Sequence, residues 1–253
     1  MRQGLGNLRI SYLGGGYDYP VFFQEKPVVI LSEALRLPVS YSESEIGLGS
    51  WTSPVGQFSG LGSSAARYLS FLRYHFPGAD FRSLVDIGIR MDGLQGAGWQ
   101  DAIAAAHSGF LKITLYKRNW WVESIESGLG KYRKLYKIPV CREQKEILSE
   151  MVCRWPSFLT MQGLVREGEV ALGESDFQTF GGTVTAAWNL KKRWHPQISN
   201  SVIEQMEKDA VDIGAWGWKV CGAGGQGYFL VIGSRECHSR MSEKYECFGV
   251  GYE

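Results

Sequence analysis

A chain of 253 residues with 44% hydrophobic and 21% charged residues and a formal net charge of +1 can bury a sizeable core but has no global field for nucleic acid or an anionic membrane. Any anionic ligand must be held by local groups. No apolar run approaches the roughly 20 residues of a spanning helix, and the five cysteines, at 141, 153, 221, 237 and 247, form no C-x-x-C pair and follow Met1-Arg2-Gln3-Gly4 without an apolar signal core, as expected of a reduced, cytoplasmic protein.

In chain order, residues 7–13 carry a strand pattern that runs into Gly14-Gly15-Gly16, and residues 28–31 and 37–41 carry two more, so the N-terminal part is sheet-rich. Helical periodicity spans 64–76, breaks at Pro77-Gly78 and resumes over 81–92. Alanines at 102, 104, 105 and 106 predict a closely packing helix over 100–107, ended by Gly109 ahead of a hairpin at 110–116 and 121–125. Beyond Arg142, helices at 144–153, 157–167, 177–193 and 199–213 are closed by strands at 218–221 and 227–232. The basic cluster from Lys131 to Lys137, with Arg133 and Lys134, reads as solvated surface, and Trp120-Trp121 as packing in the hairpin. His75, His107, His195 and His238 lack metal-ligand spacing.

Chemistry concentrates in the glycine runs. Val55-Gly56-Gln57-Phe58-Ser59-Gly60-Leu61-Gly62-Ser63-Ser64-Ala65-Ala66 places glycines and paired hydroxyls immediately before an amphipathic helix. That order describes a phosphate cradle, because unpaired N–H groups and the dipole at a helix start favour an anion, and glycines admit close approach of oxygen. The hydroxyls can bond phosphate or ligate a hard cation such as Mg2+. Gly222-Ala223-Gly224-Gly225-Gln226-Gly227 satisfies the dinucleotide fingerprint literally, but a helix precedes it and the strand pattern 228–232 follows it, the reverse of the required order.

Three separated segments resemble one family, the GHMP small-molecule kinases. Arg9-Ile10-Ser11-Tyr12-Leu13-Gly14-Gly15-Gly16-Tyr17-Asp18-Tyr19-Pro20 is similar to the first motif, the loop from Gly60 to Ala65 to the phosphate-binding second, and Lys219-Val220-Cys221 with the 222–227 run to the third. Between them, Gly98-Trp99-Gln100-Asp101-Ala102-Ile103-Ala104-Ala105-Ala106 and Trp188-Asn189-Leu190-Lys191-Lys192, followed by Ile198-Ser199-Asn200 and Gly214-Ala215, resemble segments of the family's sugar-1-kinases. The resemblance spans most of the chain. It implies an α+β, two-domain fold, with a ribosomal-protein-S5-like sheet and helix domain at 1–135, a ferredoxin-like α/β domain at 136–253 and a left-handed βαβ unit.

The resemblance further implies ATP- and Mg2+-dependent transfer of the γ-phosphate to a hydroxyl of a sugar or sugar phosphate, in the nearest subgroup the anomeric hydroxyl of a heptose 7-phosphate. In that scheme Asp101 accepts the hydroxyl proton and Arg9 steadies the carboxylate. Gly60, Leu61, Gly62, Ser63, Ser64 and Ala65 hold phosphates, and Ser64 with Asp92 holds the metal. Asp18, Gly15 and Gly16 meet the substrate, joined from across the cleft by Lys219, Gly222, Gly224 and Gly225. Taken alone, Asp101 is an acidic residue at a helix start, Asp18 a turn aspartate and Arg9 a strand-edge cation.

Two features depart from the family pattern. Where the related kinases supply a metal-binding glutamate, the sequence reads Ile89-Arg90-Met91-Asp92-Gly93, which offers either Arg90, unable to bind a cation, or the shorter Asp92. Residues 42–58 replace a longer stretch carrying part of the adenine pocket, leaving Trp51 to stack on a base or to cover the core. These departures make a noncatalytic nucleotide- or sugar-phosphate-binding protein of the same descent the alternative.

Overall fold

The computed structural model describes residues 2–56, 59–139 and 155–248. Cys141, Cys153 and the helix expected at 144–153 lie outside the described residues. Two antiparallel sheets organise the chain. The first runs β1 (Gly4–Leu13), β2 (Val28–Glu43), β4 (Gly109–Tyr116), β5 (Asn119–Ile125), with β3 (Gly49–Thr52) added to the far end of β2. The second has the order β7 (Gly217–Val220), β8 (Tyr228–Ile232), β6 (Arg133–Lys137), β9 (Cys247–Phe248).

The strands expected at 28–31 and 37–41 are one strand of 16 residues, β2. Pro38 sits opposite Asn7, beside a register shift between Asn7 and Arg9, where a bulge absorbs its missing N–H. Two polar residues within β2, Ser32 and Glu33, are buried and paired. Ser32 Oγ donates to the Ile10 carbonyl, and the Glu33 carboxylate accepts from the Tyr12 hydroxyl and from the Arg133 fork, at 3.0 Å from Nε and 2.8 Å from Nη2.

Arg133 overturns the reading of 131–137 as solvated surface. It opens β6, is 2% exposed and carries its charge into the interior against Glu33, whereas Lys134 remains exposed. Among the described residues β6 pairs with β8 and β9, so the division expected at 135/136 falls within a strand of the second sheet. The implied βαβ unit has no parallel pair here, since every described pairing is antiparallel. Its nearest counterpart is the path from β3 through three helices to β4, two strands that both pair with β2.

Those helices, α2 (Ser63–His75), α3 (Phe81–Gly93) and α4 (Gln100–Ala105), follow the short α1 (Pro20–Phe23) in the chain; α2 and α4 pack on β1 and β2, and α3 packs on both of them. Asp80 caps α3 by accepting from the Ser83 N–H at 2.9 Å. Next come α5 (Phe158–Gly173) and α6 (Phe177–Lys192), which pack on each other; α6 joins β7 to β1, where Phe180 meets the Tyr12 and Phe110 rings. α7 (Ser201–Ile213) starts at the Asn200 cap and ends at left-handed Gly214. α8 (Arg235–Lys244) was not anticipated, because its only buried residues, Cys237, His238 and Met241, form too narrow an apolar stripe. Among the described residues no helix is long and apolar enough to cross a membrane, and Cys221, Cys237 and Cys247 are free thiols.

Candidate active site

The glycine end of β1, the starts of α2 and α4, the end of α6 and the turn after β7 converge on one cavity of about 540 Å³. Arg9 and Asp101 meet there. The β1 arginine donates from Nε to Asp101 Oδ1 and from Nη2 to Oδ2, both at 2.8 Å, and its remaining nitrogen, Nη1, donates to the Gly60 carbonyl at 2.6 Å. Burial alone would lower the guanidinium's pKa, but the charge and hydrogen bonds of Asp101 carry it above its ordinary value. The arginine predicted at a strand edge is 4% exposed and fixed on three sides.

The 59–62 loop holds Arg9 through its carbonyls, since the Arg9 N–H also donates to the Leu61 carbonyl at 2.9 Å, while the Leu61 N–H turns inward to Ser59 Oγ. Gly60 and Gly62 border the cavity, as does the first turn of α2, which begins at left-handed Gly62 and places Ser63 and Ser64 on the same space. Leu61 and Ala65 face the core instead. At the far side of this turn Ser64 Oγ donates to Asp92 Oδ1 at 2.7 Å. Of the two metal candidates, Asp92 is buried on the cavity and Arg90 is exposed. Asp92 Oδ2 is buried without a partner, as a cation ligand would be before the cation arrives. Among the described residues no group of three or more His, Cys, Asp or Glu could hold a metal ion. One carboxylate and one hydroxyl, completed by phosphate oxygens, suit Mg2+, so the donor set fits.

Asp18 borders the same cavity, its carboxylate accepting from the N–H groups of Gly16 at 3.1 Å and Gln100 at 3.2 Å. Burial, then the negative charge of Asp101, pushes it up to about 6 against those two bonds. The same causes, in the same order, push Asp92 up to about 7. Two buried amines border the same space. Lys219 Nζ donates to the carbonyls of Ser11 at 2.6 Å and Tyr12 at 3.0 Å, and Lys191 Nζ donates to the Gly222 carbonyl. Burial lowers both: Lys219 to about 7, with the charge of Lys191 adding to the effect, and Lys191 to about 8, with that of Arg9.

Gly15, Gly16 and Gly222 border the cavity with Lys219, whereas Gly224 and Gly225 do not. The last two pack on the turn before α7, where the Gly225 N–H donates to the Ile198 carbonyl at 2.9 Å and its carbonyl accepts from Asn200. Trp51 lies on β3, 46% exposed, tilted against the Tyr41 ring and bordering the cavity beside Arg67 and Tyr68. Ser11, Gln100 and Lys191 were not singled out individually from the sequence. Their only signal was membership of the motif segments, because a polar residue within a strand or helix pattern otherwise reads as a solvated position.

No family model matches the chain. Over 150 residues it is 27% identical to a D-glycero-alpha-D-manno-heptose 7-phosphate kinase of Campylobacter jejuni, a match that covers 53% of this chain and 43% of the relative's length. Among solved structures, a Lactococcus lactis galactokinase complexed with galactose superposes with a TM-score of 0.75 at 13% identity, covering 95% of this chain and 87% of that one. A D-glycero-D-manno-heptose 1-phosphate kinase from Bacteroides thetaiotaomicron gives 0.68 at 15% identity, covering 97% and 94%. The chain thus has the α+β fold of the GHMP small-molecule kinases, and its sequence resembles a heptose kinase.

Proposed function

We propose that this protein is an ATP- and Mg2+-dependent kinase that transfers the γ-phosphate to a hydroxyl of a sugar or sugar phosphate, the anomeric hydroxyl of a heptose 7-phosphate being the first acceptor to test. The observation that carries the reading is the Arg9–Asp101 fork, held by the phosphate-loop carbonyl of Gly60 within one cavity. Direct phosphoryl transfer needs positioning and charge stabilisation more than covalent chemistry, and this arrangement supplies both.

Asp101 takes the proton of the attacking hydroxyl on a carboxylate lone pair that Arg9 leaves free. Arg9 keeps both oxygens in register, and its charge favours the developing alkoxide. As the oxygen–phosphorus bond forms, the bond from the γ-phosphorus to the bridging oxygen breaks and ADP leaves. The first turn of α2, with Ser63 and Ser64, receives the phosphates, and Ser64 and Asp92 would hold Mg2+. Bound there, the ion would neutralise charge on the phosphate oxygens. Lys191 and Lys219 add positive charge to the same space, and Trp51 with Tyr68 forms an open, aromatic border suited to the base.

The test is Asp101→Asn, assayed for MgATP turnover against hexoses, heptoses and their terminal phosphates, with ATP affinity measured separately. Loss of the general base lowers kcat by about 10²–10⁴-fold with ATP affinity retained. Unchanged turnover in the variant would remove Asp101 from the chemistry. ATP binding by the unaltered protein without transfer to any acceptor would favour the noncatalytic alternative.

A further inference from the structure

Arg67 stands on the cavity with Trp51 and Tyr68, one turn along α2 from Ser63 and Ser64. Its Nε is buried without a hydrogen-bond partner, and a buried donor is seldom left so, because nothing offsets its desolvation. Residues three and four apart share a helix face, and helical side chains lean toward the N-terminus, so Arg67 covers the turn that carries the two serines. Nε with a neighbouring Nη forms the fork that matches two oxygens of one phosphate. The base end of the cavity is built differently. β3 is exposed along all four residues, and Trp51 tilts against the Tyr41 ring with its indole N–H donated to the Arg67 carbonyl at 3.3 Å. The indole therefore offers a face but no donor, and stacking tolerates any base because every base has a π-face. The Tyr68 hydroxyl both donates and accepts, so it suits any base edge. Gln95 and Gln100 also border the cavity, but both stand beside carboxylate residues: the Gln95 N–H donates to the Asp92 carbonyl at 2.9 Å and the Gln100 N–H to the Asp18 carboxylate.

We propose that Arg67 grips the phosphate chain of the donor nucleotide while the base is held by stacking alone, so that the site takes purine and pyrimidine nucleoside triphosphates without selecting adenine. ATP is then one donor among several. A ligand without the chain leaves Arg67 Nε buried and unpaired, whereas exchanging adenine for another base leaves no donor or acceptor of Trp51 or Tyr68 stranded. Loss of the chain is therefore penalised and a change of base is not. The inference rests on the kinase reading for the place of the donor, at the start of α2, but donor binding is measurable without an acceptor and without turnover.

The experiment titrates ATP, GTP, CTP, UTP, AMP and inorganic tripolyphosphate, each with Mg2+, into the unaltered protein, Arg67→Lys, Arg67→Met and Trp51→Ala by calorimetry. Thermal melts are recorded on each variant, and turnover with sugar acceptors is followed in parallel. The expected result is that the four triphosphates bind within about fivefold of one another and AMP at least tenfold more weakly. Arg67→Met then weakens all four triphosphates and tripolyphosphate tenfold or more by a common factor, and Arg67→Lys, which keeps the charge without the fork, recovers part of the loss. Trp51→Ala weakens the nucleotides but leaves tripolyphosphate within twofold. In turnover, Arg67→Met raises KM for the donor and leaves KM for the acceptor unchanged, a split that a merely structural role would not produce. Should Arg67→Met not fold, Arg67→Lys and the comparison of bases decide the matter. A tenfold preference for ATP over GTP and UTP, triphosphate affinities within twofold in Arg67→Met, or a loss confined to GTP, as from an arginine on a base edge, would each overturn the proposal. Even binding of the four triphosphates that depends on Arg67, without phosphoryl transfer to any acceptor, would sink the kinase reading and leave the proposal standing. Transfer from ATP that none of the other three can replace would do the reverse.

Discussion

At Asp92, burial and the charge of Asp101 raise the carboxyl to about 7. Between the ordinary value of 3.8 and that point the native state holds a proton that the unfolded chain releases, so this group's contribution to stability falls as pH rises through the interval. A neutral side chain escapes that cost while still accepting from Ser64 Oγ. Asp92→Asn is therefore expected to melt no lower than the unaltered protein at pH 7.5 without Mg2+, yet to need at least tenfold more Mg2+ for half-maximal turnover at fixed ATP. An unchanged Mg2+ titration would remove Asp92 from the cation site. Arg9, Asp18 and Asp101 were legible because each sits in a motif of characteristic order. Ser11 and Gln100 lie in the same motifs, but what marks them, a place on one cavity, depends on residues 89 positions apart in the chain.

The two glycine runs illustrate the same contrast between elements. Gly222, at φ +72°, lies so close to the 59–62 loop that a Cβ would stand 2.5 Å from Gly60 Cα, whereas a Cβ on Gly224, at φ +111°, would strike the Ile198 carbonyl at 2.6 Å. Alanine at either position forces a left-handed or more extreme backbone and a clash, costing about 1–3 kcal/mol in denaturant melts. Their kinetic consequences differ. Gly222→Ala pushes on the residue whose carbonyl holds Arg9 Nη1 and is expected to lower kcat tenfold or more, while Gly224→Ala, which does not border the cavity, leaves kcat within about threefold. Equal kinetic loss from both would show that the second run acts as one unit. Glycine runs announce themselves by composition; long strands with irregularities do not. Continuous β2 was hidden by Ser32 and Glu33, polar residues between the two expected runs that are buried and paired, and β6 by basic residues whose buried member, Arg133, finds Glu33 100 positions earlier.

Across the whole molecule, the site lies where the two sheets are fastened together. Arg133 of the second sheet enters the Glu33–Tyr12 cluster of the first, and Lys219 crosses to two β1 carbonyls beside the cavity. The groups that prepare the cavity for a charged ligand therefore strain the junction while no ligand is bound. Asp18 and Asp92, raised to about 6 and about 7, cost stability increasingly from pH 4 to pH 7 and fully above it. Lys191 and Lys219, lowered to about 8 and about 7 from 10.5, work in the opposite direction: the unfolded chain binds more protons than the native state between those values and 10.5, so stability rises with pH across that range. Near pH 7 both costs operate together. The ligand-free protein is expected to gain on the order of 1–3 kcal/mol between pH 7 and pH 9 in denaturant melts. Lys219→Met should flatten that rise, since a neutral side chain has no proton to lose. On the proposed function, with the phosphates near the amines and the cation at Asp92, saturating MgATP is expected to raise stability most near pH 7. A ligand-free stability that falls steadily from pH 7 to pH 9, or a slope unaltered by Lys219→Met, would show that the buried amines are not what limits the junction.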